Sequence, residues 1–213
     1  MTSLTLVVML ALSAPPSAED GAPVRYANAG ESSRVARPEF EGGAPVLRAG
    51  TFEGALATCA APAAAAWDQA EAYEIPLRMT PPHMRSDELP VQSIETLKVR
   101  ALAALDGVAI RIAWRDETAD FPASRTRAIR SFPDAVAVQF PAGTRARVLP
   151  ALAMGSAKMP VNIWRWAAGE EAEESIAEGF GRLHSILEPT LVRTTQVRVD
   201  GGWAVTLSRP YEV

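Results

Sequence analysis

The 213-residue sequence predicts a mainly β chain, an antiparallel β-sandwich with a few short helices. Three observations carry this expectation. Apolar and polar residues alternate with period two in several separate stretches, which buries one face of each as a strand. Turn signals built on Asp and Gly join neighbouring stretches into hairpins. Long helical repeats do not alternate with the strands, so a sandwich is favoured over βαβ units. Hydrophobic residues at 48% and charged residues at 22% are ordinary globular values, enough for one core.

In chain order, Leu4–Ala14 is an apolar run too short to cross a bilayer, followed by Pro15, Pro16, Ser17 and Ala18 and then by Glu19 and Asp20. Residues 1–18 are therefore expected to be a signal peptide cut near Ala18, with a buried N-terminal strand as the alternative. Residues 19–60 mix Gly, Ser, Pro and charge without periodicity and are expected to form a linker or loosely packed arm. The sandwich domain is expected over 61–213. It begins with helix formers between Ala60 and Ala72 around one large anchor, Trp67. Tyr73–Leu77 reads as a first short strand, with Pro76 marking an edge.

Glu95–Ala103 and Val108–Trp114 alternate on either side of Leu105-Asp106-Gly107, a hairpin with Val108, Ile110, Ile112 and Trp114 on one face. Ala135–Phe140 aligns Val136, Val138 and Phe140, and Val161–Trp166 repeats the alternation. Thr195–Val199 and Trp203–Leu207 flank Asp200-Gly201-Gly202 as a second hairpin. In this β-rich remainder only Ala167–Gly181, rich in Ala and Glu, breaks the trend and is expected to be helical or a solvated excursion.

The net charge of −4 gives no global reason for nucleic acid to bind, which drops out as a partner class, and only Lys98 and Lys158 of the 21 basic residues are lysine. A single cysteine, Cys59, excludes an internal disulfide and the CxxCH attachment of a c-type haem. With His83 and His184 as the only histidines, a zinc site of several His and Cys ligands is disfavoured. His83 is expected in a loop and His184 as an exposed or satisfied histidine. The acidic run Glu170, Glu171, Glu173 and Glu174 reads as a solvated helix face rather than a cation site. No phosphate-binding glycine loop, nucleophile elbow or zinc-protease motif occurs.

The informative stretches are Phe132–Pro141 (FPDAVAVQFP), Met154-Gly155, and Pro160–Trp166 (PVNIWRW). Ala66-Trp67-Asp68, Ile75–Leu77, Ile112–Thr118 and Asp200–Pro210 support them. In these motifs and their order, from about Ala63 onward, the sequence resembles the haem b-binding gamma subunits of ethylbenzene dehydrogenase and of type II dimethyl sulfoxide reductase-family enzymes, the cytochrome c-552/DMSO reductase-like haem-binding domain.

The resemblance implies a β-sandwich holding a non-covalent haem b between methionine and lysine. It implies a periplasmic electron-transfer subunit, not itself catalytic, serving a molybdenum-containing catalytic subunit and an iron–sulfur subunit, with a redox partner such as a c-type cytochrome. The family's methionine maps onto Met154, making it the expected axial ligand of the haem iron. A thioether is a soft neutral ligand that favours reduced iron. The family's lysine lies beyond the strand that matches Trp203–Arg209, so the second axial ligand is unassigned and the domain is expected to be C-terminally incomplete. A haem-free sandwich that binds a small ligand or partner protein, with Trp164 and Trp166 lining the site, is the alternative.

Overall fold

The computed structural model describes the backbone of residues 7–11, 35–36, 39–41 and 44–46 and, with side chains, residues 47–77, 94–121, 133–142, 154–186 and 190–211. Two sheets face each other. The larger has seven strands: β13 (Arg193–Val199), β14 (Gly202–Pro210), β8 (Gly107–Arg115), β7 (Thr96–Ala103), β6 (Ala72–Pro76) and β2 (Val35–Ala36) in order, with β5 (Gly50–Thr51) also paired to β7. The smaller has five, in the order β1 (Val7–Ala11), β9 (Ala135–Pro141), β10 (Val161–Ala167), β11 (Glu173–Ala177) and β12 (Leu183–Ser185). Glu39–Glu41 (β3) and Ala44–Val46 (β4) form a separate ribbon. Pairing is antiparallel except for the two-residue contacts of β2 with β6 and β5 with β7.

Both expected hairpins form. In β7–β8, Lys98 pairs with Ala113 and Ala103 with Val108, which aligns Leu97, Val99 and Ala101 with Ile110, Ile112 and Trp114 on the inner face. Gly107 starts β8 where a Cβ would lie 2.5 Å from the carbonyl oxygen of Arg209, so only glycine lets β14 close alongside. Residues i and i+2 of a strand share a face, so Trp203, Val205 and Leu207 of β14 join this layer. Opposite them stand Val136 and Val138 of β9 and Trp164 and Trp166 of β10. The sheets meet where Trp166 packs edge-on between Trp114, at 6.0 Å between centroids, and Trp203, at 5.0 Å.

A second apolar cluster covers the outer face of the larger sheet. The short helix α1 (Leu56–Cys59) and the 3-10 turn Ala65–Gln69 lay Leu56, Cys59, Trp67 and Ala70 over Leu102, Ala104 and Ala109. Asp106 Oδ1 accepts the Leu56 amide at 2.6 Å, Arg100 Nη1 donates to the Trp67 carbonyl at 3.1 Å, and Arg111 Nε donates to the Pro62 carbonyl at 2.8 Å. Cys59, at the end of the expected arm, is thus fully buried.

Two sequence expectations are corrected. Ala167–Gly181 is not helical: a turn with Gly169 at φ 76° leads into β11, which pairs with β10 on one side and β12 on the other. Helix propensity is a weak local prior, and pairing on both edges outweighs it. The acidic run is accordingly no helix face; Glu174 is 3% exposed. Strand β6 is also not the first, since shorter pairings precede it. Within the run expected as a leader, the backbone of Val7–Ala11 lies antiparallel to β9.

The sandwich end near Trp203 is closed by polar contacts. Buried Asp134 accepts Trp203 Nε1 at 2.8 Å and the Asp120 amide at 2.9 Å. Arg198 stacks 4.9 Å over the Trp203 ring and donates to the carbonyls of Asp116 and Thr118. Burial, and then the neighbouring Asp134 charge, push the Asp116 carboxyl above its ordinary range. The folded chain therefore holds this proton where the unfolded chain has lost it, and stability falls as pH rises through that interval. Asp116→Asn should raise the melting temperature at neutral pH, and the gain over the unsubstituted protein should vanish below the ordinary carboxylate range. Melting curves from pH 3 to 8 check this, and a gain of equal size at every pH would contradict it.

Candidate functional site

Among the described residues the opposite end of the sandwich is open, and the strand registers show how. On the inner face of the smaller sheet Phe140, Asn162, Ile176 and His184 form one row across β9, β10, β11 and β12. Phe140, Asn162 and Ile176 are half-buried and His184 is exposed, whereas one row deeper Val138, Trp164 and Glu174 are buried. Phe140 stacks on Trp164 with ring centroids 4.6 Å apart, joining rim to floor. From the larger sheet, half-buried Val108 and Arg209 reach the same end.

Met154 and Gly155 sit at this end, immediately ahead of β10. Both have left-handed backbone, φ 59° and 67°. For methionine that conformation is uncommon and needs surrounding contacts to hold it. Ser156 and Met159 exchange backbone hydrogen bonds of 3.0 Å each, closing the turn that follows. A Cβ on Gly155 would stand 2.7 Å from the Met159 carbonyl oxygen and 3.2 Å from that of Ala177, so glycine is required for both conformation and space. The Gly179 amide donates to the Met154 carbonyl at 2.8 Å, tying Met154 to the β11–β12 turn. Met154 itself is half-buried.

A polar network borders the open end. Glu174 Oε1 accepts Asn162 Nδ2 at 3.0 Å, and Asn162 Oδ1 accepts Trp164 Nε1 at 2.5 Å. Thr190 Oγ1 reaches Glu174 Oε2 at 3.5 Å. Across the sandwich, Arg209 Nε lies 3.2 Å from Glu174 Oε1, an ion pair joining the sheets. The alternation of Val161–Trp166 left open which face is inward, and Arg209 carried no local signal of its partner.

The remaining candidates fall elsewhere. Lys98 shares its face with Arg100 and Leu102, on the outer side of the larger sheet, and Lys158 is exposed in the turn after Gly155. Cys59 Sγ donates to the Leu56 carbonyl at 3.2 Å, and burial pushes its thiol above the ordinary range, leaving it unreactive. Trp164 and Trp166 are 5% and 1% exposed, so they form a packed floor rather than the accessible lining considered for a haem-free module. His83 lies outside the described residues. Among the described residues no group of three or more His, Cys, Asp or Glu could hold a metal ion, and no helix is long and apolar enough to cross a membrane.

An antiparallel sandwich, open at one end beside a strained methionine, is the arrangement to which the sequence relationships attach. The ethylbenzene dehydrogenase family model matches residues 64–184, more than half of the chain and the segment containing Met154, Asn162 and Glu174; the chain belongs to this family. It is 37% identical over 150 residues to a protein of Haloferax mediterranei assigned as a respiratory nitrate reductase heme subunit, covering 70% of this chain and 51% of that one. It is 32% identical over 155 residues to the chlorate reductase subunit gamma of Ideonella dechloratans, covering 72% and 62%. The dimethylsulfide dehydrogenase subunit gamma of Rhodovulum sulfidophilum is 28% identical over 157 residues, covering 68% and 56%. The chain thus spans about half to three-fifths of the length of these relatives.

Proposed function

We propose that the chain is a haem b-binding electron-transfer subunit of an exported molybdenum oxidoreductase, with Met154 as an axial ligand. The observation that carries this reading is the placement of Met154, in left-handed backbone, at the open end of the sandwich. The surroundings suit the group. Phe140, Ile176 and Val108 offer half-buried apolar surface to a porphyrin, and the buried tryptophans beneath exclude water. Gly155 lets the turn that carries Met154 pack closely against the Met159 and Ala177 carbonyls. Bound haem would supply a one-electron iron couple, and Met154 would favour its reduced form.

Cys59 is single and buried, which supports non-covalent binding. Lys98 stands on the outer face of the larger sheet and Lys158 follows Met154 in the same turn, so neither is assigned as a second ligand. The relatives named as subunits of nitrate reductase, chlorate reductase and dimethylsulfide dehydrogenase support service to a molybdenum catalytic subunit. An iron–sulfur subunit and a redox partner such as a c-type cytochrome complete the assembly in this proposal. The leader-like Leu4–Ala14 supports a periplasmic location.

The test combines location and ligand. Protein recovered from the periplasm should begin near Glu19 and carry haem that acidified organic solvent extracts. Met154→Ala should weaken haem binding by roughly tenfold or more, since even outer-shell partners of a metal ligand are worth about 10–100-fold, and should lower the reduction potential of any haem retained. An unchanged spectrum, affinity and potential in that variant would remove Met154 from the site.

A further inference from the structure

The Glu174–Arg209 pair joins the two sheets at the boundary between the tryptophan floor and the open end. The Glu174 side chain is 2% exposed and that of Arg209 is 24% exposed, with Nε and Oε1 3.2 Å apart. An apolar pair would close a dry core equally well, because desolvating two charges offsets most of their attraction. The pair also has neighbours that hold it in place. Asn162 and Thr190 both engage the carboxylate, and Asn162 is itself fixed by Trp164. A fixed charge of each sign, the carboxylate buried and the guanidinium half-buried, thus faces one end of the sandwich.

We infer that Glu174 and Arg209 are positioning residues of opposite sign that set the reduction potential of haem held beside Met154; this rests on the haem reading above. An iron porphyrin with neutral axial ligands carries one net positive charge when ferric and none when ferrous. A fixed carboxylate nearby stabilises the ferric form and lowers the potential, and a fixed guanidinium does the reverse. Low local dielectric enlarges both effects. Paired, they largely cancel, and the loss of either exposes the other. The couple involved is the transfer of one electron from a soluble mediator to ferric iron; no bond forms or breaks, and no proton moves.

The experiment is spectroelectrochemical titration of the full chain reconstituted with haem b, in the unsubstituted form, Glu174→Gln, Arg209→Gln and the double variant. At the unsubstituted midpoint, Glu174→Gln should shift the ratio of reduced to oxidised haem roughly tenfold toward reduced, about 59 mV upward for a one-electron couple. Arg209→Gln should shift it roughly tenfold toward oxidised, and the double variant should lie near the unsubstituted protein. A merely structural role would not produce opposite signs. Single variants that retain the haem spectrum but shift in the same direction, or by less than about twofold, would overturn the inference. If Glu174→Gln does not fold, the direction of the Arg209→Gln shift decides alone. Failure of the unsubstituted chain to bind haem would instead overturn the reading on which the inference stands.

Discussion

Trp166→Ala is expected to destabilise the folded chain by about 4 kcal/mol, within the range for truncating a buried aromatic residue. Trp166 is 1% exposed and is the indole of the smaller sheet that contacts two indoles of the larger, Trp114 and Trp203. Its removal leaves a cavity between two sheets whose backbones are fixed by their own hydrogen bonds, so the gap cannot close by local collapse. For a chain of this size the loss corresponds to a fall in melting temperature of roughly 8–16 °C. Trp166→Phe keeps an edge-on ring and should recover more than half of the loss. Thermal and urea unfolding followed by circular dichroism measure both, and a loss below about 1 kcal/mol for alanine would show that the sheets do not rely on this contact.

Gly155→Ala combines two penalties. Left-handed backbone costs an L-residue about 1–2 kcal/mol, and the new Cβ would lie 2.7 Å from the Met159 carbonyl oxygen, where the turn itself must move. Crowding of this kind typically costs a further 1–3 kcal/mol or so. Gly181→Ala separates the terms, because Gly181 has φ 73° with nothing within 4 Å of its Cβ position. Gly181→Ala should show the conformational cost alone, about 1 kcal/mol, and Gly155→Ala roughly two to three times as much. Relief of the clash displaces Met154, so haem affinity should fall in Gly155→Ala and hold in Gly181→Ala. Equal effects of the two substitutions on stability and affinity would show that the tight packing at Gly155 is unimportant.

The strands were legible wherever one face is buried and the other is not. Val108, Ile110, Ile112 and Trp114 announce β8 because burial repeats every two residues, and the same holds for Val136, Val138 and Phe140 in β9. Met154 was singled out through the resemblance carried by Gly155 and Pro160–Trp166, and the left-handed backbone of Gly155 itself, with no room for a Cβ, explains why a glycine stands there. Strand β11 escaped because its alternation is carried by charge: Glu174 faces inward against Arg209, while Glu173 faces outward to Arg165 at 3.3 Å. A pattern built on hydrophobicity cannot see an inward carboxylate whose compensating cation is distant in sequence. The covering segment around Cys59 escaped for a different reason. Apart from Leu56 and Trp67 it contributes small residues to a surface made by the sheet, and their burial follows no period of their own.

The two guanidinium contacts from the larger sheet to this cover end on main-chain oxygens, those of Pro62 and Trp67. A grip on carbonyls reads where the backbone runs rather than which side chains it bears. Between these anchors the exposed Ala63 and Ala65 can therefore vary in identity while the cover stays seated, whereas Ala64 and Ala66 pack against the cluster. The number of residues between the anchors cannot drift in the same way, because one inserted or deleted residue would carry a carbonyl away from its arginine. Evolution of this segment is thereby constrained in spacing more than in spelling.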